Sequence, residues 1–267
     1  MRIKLLLNYS WLSFVANKAR IGRGKGFTLV EISMVIVLIG LVVAAIMGGR
    51  DLMEQAKLRK AVSDIDKYVV AANTFQLEYG YYPGDMPNAS AYGWGAGLNG
   101  NGNKAIEWGT SPSSGCNNTS EHQKAWVMMS QANLIDGSYS YTNMNPQVGI
   151  HVPEALGGQA SFAIADVTGL GWNYNPRRIV KKPAIFISNV RPNGWYRSCT
   201  THGSGLTALQ ASNIDKKIDD GQSFQGSVRA MRARYPAQST NSACHDGTNY
   251  DVTSSPDEIT CAIAKMF

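Results

Sequence analysis

The sequence predicts an α+β protein in which one very long N-terminal helix leads into a head containing β-strands, and three observations predict it. Phe27 to Met47 is an apolar run of 21 residues. Helical spacing of apolar residues continues beyond it to Tyr79. After Gly80 the period changes, and strand-like alternation appears in Ala160 to Val167, Ala184 to Val190 and Ser227 to Tyr235. The chain therefore divides into a basic N-terminal segment (1–26), an apolar helix (27–47), an amphipathic continuation of that helix (48–80) and a head (81–267).

Everything before Phe27 carries six basic residues, Arg2, Lys4, Lys18, Arg20, Arg23 and Lys25, and no acidic one. By the positive-inside rule that bias holds the N-terminus in the cytoplasm and puts the head on the other side. An apolar helix of this length spans about 30 Å, enough to cross a hydrocarbon core. Glu31 is the one ionisable side chain within it, and at such depth a carboxylate costs on the order of 2.5–3.5 kcal/mol on insertion scales. It needs a partner. Cleavage after Gly26 supplies one: the new Phe27 amine, with an ordinary pKa of about 7.7–8.0, is cationic near neutral pH and sits at the i, i+4 spacing from Glu31. A secretory signal peptide has an apolar region of only about 7–15 residues. Phe27 to Met47 exceeds that and carries Glu31, although Ala44-Ala45 offers the small residues of a signal-peptidase cut.

The run Gly26-Phe27-Thr28-Leu29-Val30-Glu31, with the apolar helix behind it, closely resembles the type IV prepilin and type II secretion pseudopilin family, over Gly24 to about Met47. The resemblance implies that a membrane prepilin peptidase cuts between Gly26 and Phe27 and that the new amine is methylated. It implies that Glu31 pairs with the N-terminal amine of a neighbouring subunit during assembly. It also implies a fold, with the second half of the rod packed on an antiparallel sheet. The implied partners are the prepilin peptidase, other pilin-like subunits and an inner-membrane assembly platform. The implied location is the inner membrane, as a single-pass precursor with a cytoplasmic N-terminus and a periplasmic head, followed by a pilus or secretion pseudopilus. Removing 26 of the 267 residues leaves 241, more than typical major subunits of that family, which favours a minor or specialised subunit.

Past Met47 the rod changes character. Leu58, Val62, Ile65, Val69, Ala72, Phe75 and Tyr79 recur at spacings of three or four, with Lys57, Lys60, Asp64, Lys67 and Asn73 on other faces, the pattern of a helix with one buried stripe. Gly48 and Gly49 each lower helix propensity by about 1 kcal/mol, so a bend or soft point is expected there. Gly80, Pro83 and Gly84 end the rod, and Tyr81 to Trp108, rich in Gly, Asn and aromatic residues, reads as a long ordered loop. Ser120-x-x-Gln123 opens a second helix that passes Trp126, Met129 and Ala132 and stops at Gly137. Thr207-x-x-Gln210 opens a third, through Ala211, Ile214 and Ile218 to Asp219-Asp220-Gly221.

The formal charge of +6 directs attention to nucleic acid or anionic membranes. Six of the 25 Lys and Arg precede Phe27, and the other 19 match the 19 Asp and Glu, so the excess is a topology signal. A basic cluster at Arg177, Arg178, Lys181 and Lys182, with Arg229, Arg232 and Arg234 later in the chain, keeps a DNA-uptake reading open. Solvated strand faces account for it more simply, and nucleic acid is not expected as a partner. Cys116, Cys199, Cys244 and Cys261 all follow the apolar helix, on the side where disulfides are permitted. Four cysteines allow three connectivities; Cys244–Cys261, closing a short C-terminal loop, is favoured, with Cys116–Cys199 as the second pair. Their spacings fit no zinc pattern, and the four histidines are scattered.

Asp219 and Asp220 stand side by side where a helix end is already negative, and adjacent carboxylates before a turn glycine suit a hard cation such as Ca²⁺. Asp246 to Asp251 is a weaker candidate of the same kind. The chain carries no nucleophile elbow, phosphate-binding loop or zinc-protease motif, and no enzymatic activity is expected. The rival outside the filament class is a membrane-anchored periplasmic enzyme or binding protein.

Overall fold

A computed structural model describes residues 26–107, 121–141, 146–167, 182–189, 203–232, 244–254 and 256–267. Through them run helices α1 (Leu29–Tyr79), α2 (Glu121–Gln131) and α3 (Ala208–Ile218). The strands are β1 (Glu154–Ala155), β2 (Ala160–Asp166), β3 (Pro183–Ser188), β4 (Leu206–Thr207), β5 (Val228–Arg232) and β6 (Ile259–Met266). The chain divides into two units, one ending at Asp51 and one running from Leu52 to Phe267, and α1 contributes residues to both. The fold is α+β.

In the first unit every described side chain is exposed, and α1 is long and apolar enough to cross a membrane. The helix continues through Gly48 and Gly49 unbroken, so the soft point expected there leaves no gap in its secondary structure. The good helix formers Ala44, Ala45, Met47, Arg50 and Leu52 offset the roughly 1 kcal/mol lost at each glycine.

The second unit is built on an antiparallel sheet. β1 pairs with β2, β2 with β3, and β3 with β6, in a register that sets Phe162 opposite Ile187 and Ile187 opposite Ile263. β5 takes the other edge of β6, with Ala230 opposite Ile263, while β4 meets β6 at Cys261 on the β3 side. β2 and β3 are buried along their whole length, which requires cover on both faces. The C-terminal half of α1 supplies part of it. Leu58, Ala61, Ile65, Tyr68, Ala72 and Phe75 join the core, and Tyr68 packs edge-on against Phe162 of β2 and Trp126 of α2, with ring centroids 5.0 and 4.9 Å apart. The expected stripe is therefore real, with Val62, Val69 and Tyr79 at its partly buried border.

β2, β3 and β5 fall where alternation predicted strands. β6 was not predicted, and it is the strand that three others share. α2 begins at Glu121, its expected cap Ser120 lying outside the described residues, and ends at Gln131, short of the expected Gly137. Asn133, at φ 57°, takes the chain out of the helical region first. In α3 the capping box is closed as expected: Thr207 Oγ1 accepts the Gln210 amide at 3.2 Å, and Gln210 Oε1 accepts the Thr207 amide at 3.0 Å.

Candidate functional site

Gly26, Phe27 and Thr28 precede the first turn of α1 and are exposed, so the Gly26–Phe27 bond lies outside helical structure. Thr28 caps the helix that follows. Its Oγ1 accepts the Glu31 amide at 3.2 Å, while its own amide and hydroxyl donate to Glu31 Oε2 at 2.8 and 3.0 Å. Thr28-x-x-Glu31 is thus a capping box, a signature present in the sequence beside the cleavage motif. The amine of Phe27 was the only partner expected for Glu31; the fold adds one within its own chain. These hydrogen bonds hold the carboxylate without cancelling its charge.

A second cluster gathers where α3 ends. Asp215, Asp219 and Asp220 each offer a carboxylate oxygen, and these oxygens lie within 4.8 Å of one another. The expected pair is therefore a trio, with Asp215 one helical turn before Asp219. Asp219 Oδ2 accepts the Ser227 amide, the Ser227 hydroxyl at 3.1 Å and the Val228 amide at 3.1 Å, fastening the helix end to the start of β5. Gly226, at φ +67°, is needed for this: a Cβ there would collide with Asp219 Oδ2. Asp220 Oδ1 accepts the Gln222 amide at 2.8 Å, and Asp215 Oδ2 accepts the Tyr250 hydroxyl at 2.8 Å. Burial pushes the Asp215 carboxyl up to about 6; the Tyr250 hydroxyl and Gly221 amide oppose the rise, and the Asp220 and Asp219 charges add to it. Partial burial alone would raise Asp219 too, but the Val228 and Ser227 donors and Lys265 outweigh it and hold that carboxyl below the usual range. The other acidic candidate does not converge. Asp246 Oδ1 accepts the Thr248 and Asn249 amides and Asp251 Oδ1 the Ser254 amide, so each caps its own turn.

Nothing in the sequence singled out a third group of charges. Asp85, Glu121 and Lys124 are all buried beneath the 81–107 loop. Glu121 accepts the Asn101 and Glu107 amides, both at 3.0 Å, Asp85 accepts the Asn103 and Lys104 amides, both at 2.9 Å, and Lys124 Nζ donates to Asn99 O at 2.7 Å. These side chains replace the secondary-structure partners the loop lacks. Burial pushes the Glu121 carboxyl up to about 7, opposed by the Glu107 and Asn101 amides and reinforced by the Asp85 and Glu107 charges. A carboxyl raised in the fold binds its proton more tightly there than in the unfolded chain. Its stabilising contribution is complete below about pH 4.5 and is lost as pH rises to about 7. Glu121→Gln should therefore gain melting temperature relative to the parent between pH 5 and pH 7.5. Melting curves at the two pH values check it; a parent–variant difference independent of pH would show that Glu121 does not titrate in this window.

Cys244 and Cys261 form a disulfide with Cα atoms 5.0 Å apart, as favoured from their spacing. Cys116 and Cys199 lie outside the described residues, as do Arg177, Arg178, Lys181 and Arg234 of the basic cluster. No protein-family model, curated protein or solved structure matches the chain.

Proposed function

We propose that the chain is a type IV pilin-like structural subunit, made as an inner-membrane precursor, cut by a prepilin peptidase between Gly26 and Phe27, and assembled into a pilus or secretion pseudopilus as a minor or specialised subunit. One observation carries the reading: fifteen large apolar side chains between Phe27 and Met47 are exposed, behind a single carboxylate at Glu31. Full burial of such a side chain is worth about 1.5–3 kcal/mol, so a stripe of this size is unstable in water and stable in lipid or among copies of itself. Burial of that kind has no preferred axial position. A charge at one end of each helix supplies one, because a carboxylate shielded from water must find its cation. The cut at Phe27 makes that cation on the neighbouring chain while Thr28 keeps Glu31 oriented. The head stays on the far side of the membrane, where the Cys244–Cys261 bond is retained.

Mass spectrometry of the membrane-extracted protein tests the assignment. The expected N-terminus is Phe27 with an N-methyl group. An intact Met1, or an N-terminus near Ala45, would remove the chain from this class and return it to a membrane-anchored periplasmic protein.

A further inference from the structure

We propose that Asp215, Asp219 and Asp220 bind one hard divalent cation, Ca²⁺, which ties the end of α3 to the turn entering β5. The site is independent of the filament reading. Two oxygens on the same Ca²⁺ at about 2.3–2.6 Å stand at most about 5 Å apart, and the three carboxylates offer oxygens within 4.8 Å of one another. The ion pairs seen among the described residues, Lys60–Asp64 and Lys67–Asp136, lie elsewhere. Lys265, the cation that acts on Asp219, donates its Nζ hydrogen bond to Ser227 Oγ at 2.6 Å.

Acidic residues at a helix end commonly share solvent without an ion. Asp215 is different, being fully buried, and its Oδ1 has no hydrogen-bond partner. Tyr250 occupies only Oδ2. A buried carboxylate oxygen without a donor costs about 1–3 kcal/mol or more, a cost that coordination removes. Asp219 Oδ2 and Asp220 Oδ1 are taken by backbone donors, which fixes both side chains while each keeps a second oxygen. The donor set is oxygen alone. That disfavours zinc and copper, and a site with one buried and one exposed edge, open to water ligands, suits the irregular six-to-eight-oxygen shell of Ca²⁺.

The test uses the full chain in detergent micelles, melted in chelator and in millimolar CaCl₂, for the parent, Asp220→Asn and Asp215→Asn. Asp220 is exposed and its replacement keeps the Oδ1 acceptor, so that variant is expected to fold. In chelator Asp220→Asn should melt at or slightly above the parent, because one like charge has gone. Calcium should raise the parent by several degrees and neither variant, reversing the order. A parent that does not respond to calcium, or a rise of equal size in parent and both variants, would overturn the site.

Discussion

Replacing Glu31 with alanine should leave the chain inserted and cut at Gly26, yet deplete it from sheared filaments at least tenfold. Insertion improves, because a carboxylate costing on the order of 2.5–3.5 kcal/mol at depth has been removed. Cleavage is unaffected, since the scissile bond precedes the helix. Assembly suffers for either of two reasons that the structure brings onto one residue: the charge that meets the neighbour's Phe27 amine, and the capping box in which Glu31 accepts the Thr28 amide at 2.8 Å. Losing the cap costs about 1 kcal/mol, whereas a tenfold loss needs about 1.4 kcal/mol per contact. Glu31→Gln separates the two, because glutamine completes a capping box but carries no charge. On the charge-register mechanism both variants fail to assemble, as seen by immunoblot of sheared and membrane fractions. Filament incorporation of Glu31→Gln at the parent level would assign the residue's importance to the helix start instead.

The parts of the fold legible in the sequence are those set by local pattern. The α1 stripe is periodic because one face of a continuous helix meets the sheet, and the Thr207-x-x-Gln210 box closes within four residues. β6 escaped because Cys261, Ala262, Ile263 and Ala264 are all buried, so no polar residue marks an outward face and alternation disappears. Asp215 escaped for a related reason. An aspartate beside Lys216 and Lys217 reads as a solvated helix position, and only the approach of Tyr250, far along the chain, buries it. Asp85 and Glu121 belong to segments distant in sequence, so neither signals the loop they hold together. Thr28 and Glu31 were legible twice over, since one tetrad carries both a cleavage motif and a capping signature.

Converting Cys244 to serine should lower the melting temperature of the head by roughly 6–12 °C. The bond spans a sequence separation of 17, for which chain-entropy arguments give about 3 kcal/mol, and a domain of about 200 residues shifts by about 2–4 °C per kcal/mol. The position of the bond supports that size. Cys261 is fully buried on β6, paired with Leu206 on one side and Arg232 on the other, and Cys244 opens the 244–254 segment, in which His245 bridges to Tyr250. That segment touches the sheet's surroundings at few other points: the Ser223 amide donates to Thr248 O at 3.1 Å, His245 packs edge-on against Phe224, and Tyr250 donates to the buried Asp215. Without the disulfide these contacts must hold the segment alone, and loss of the Tyr250 hydroxyl would leave the Asp215 carboxyl with both oxygens unpaired. The variant should therefore show a larger calcium-induced rise in melting temperature than the parent if the cation takes over that restraint. Unfolding without reductant, alkylating and mapping peptides checks the pairing directly: parent Cys261 should be unmodified and become alkylated in Cys244→Ser. Alkylation of Cys261 in the unreduced parent would mean that the bond is absent, and the predicted loss of stability would fall with it.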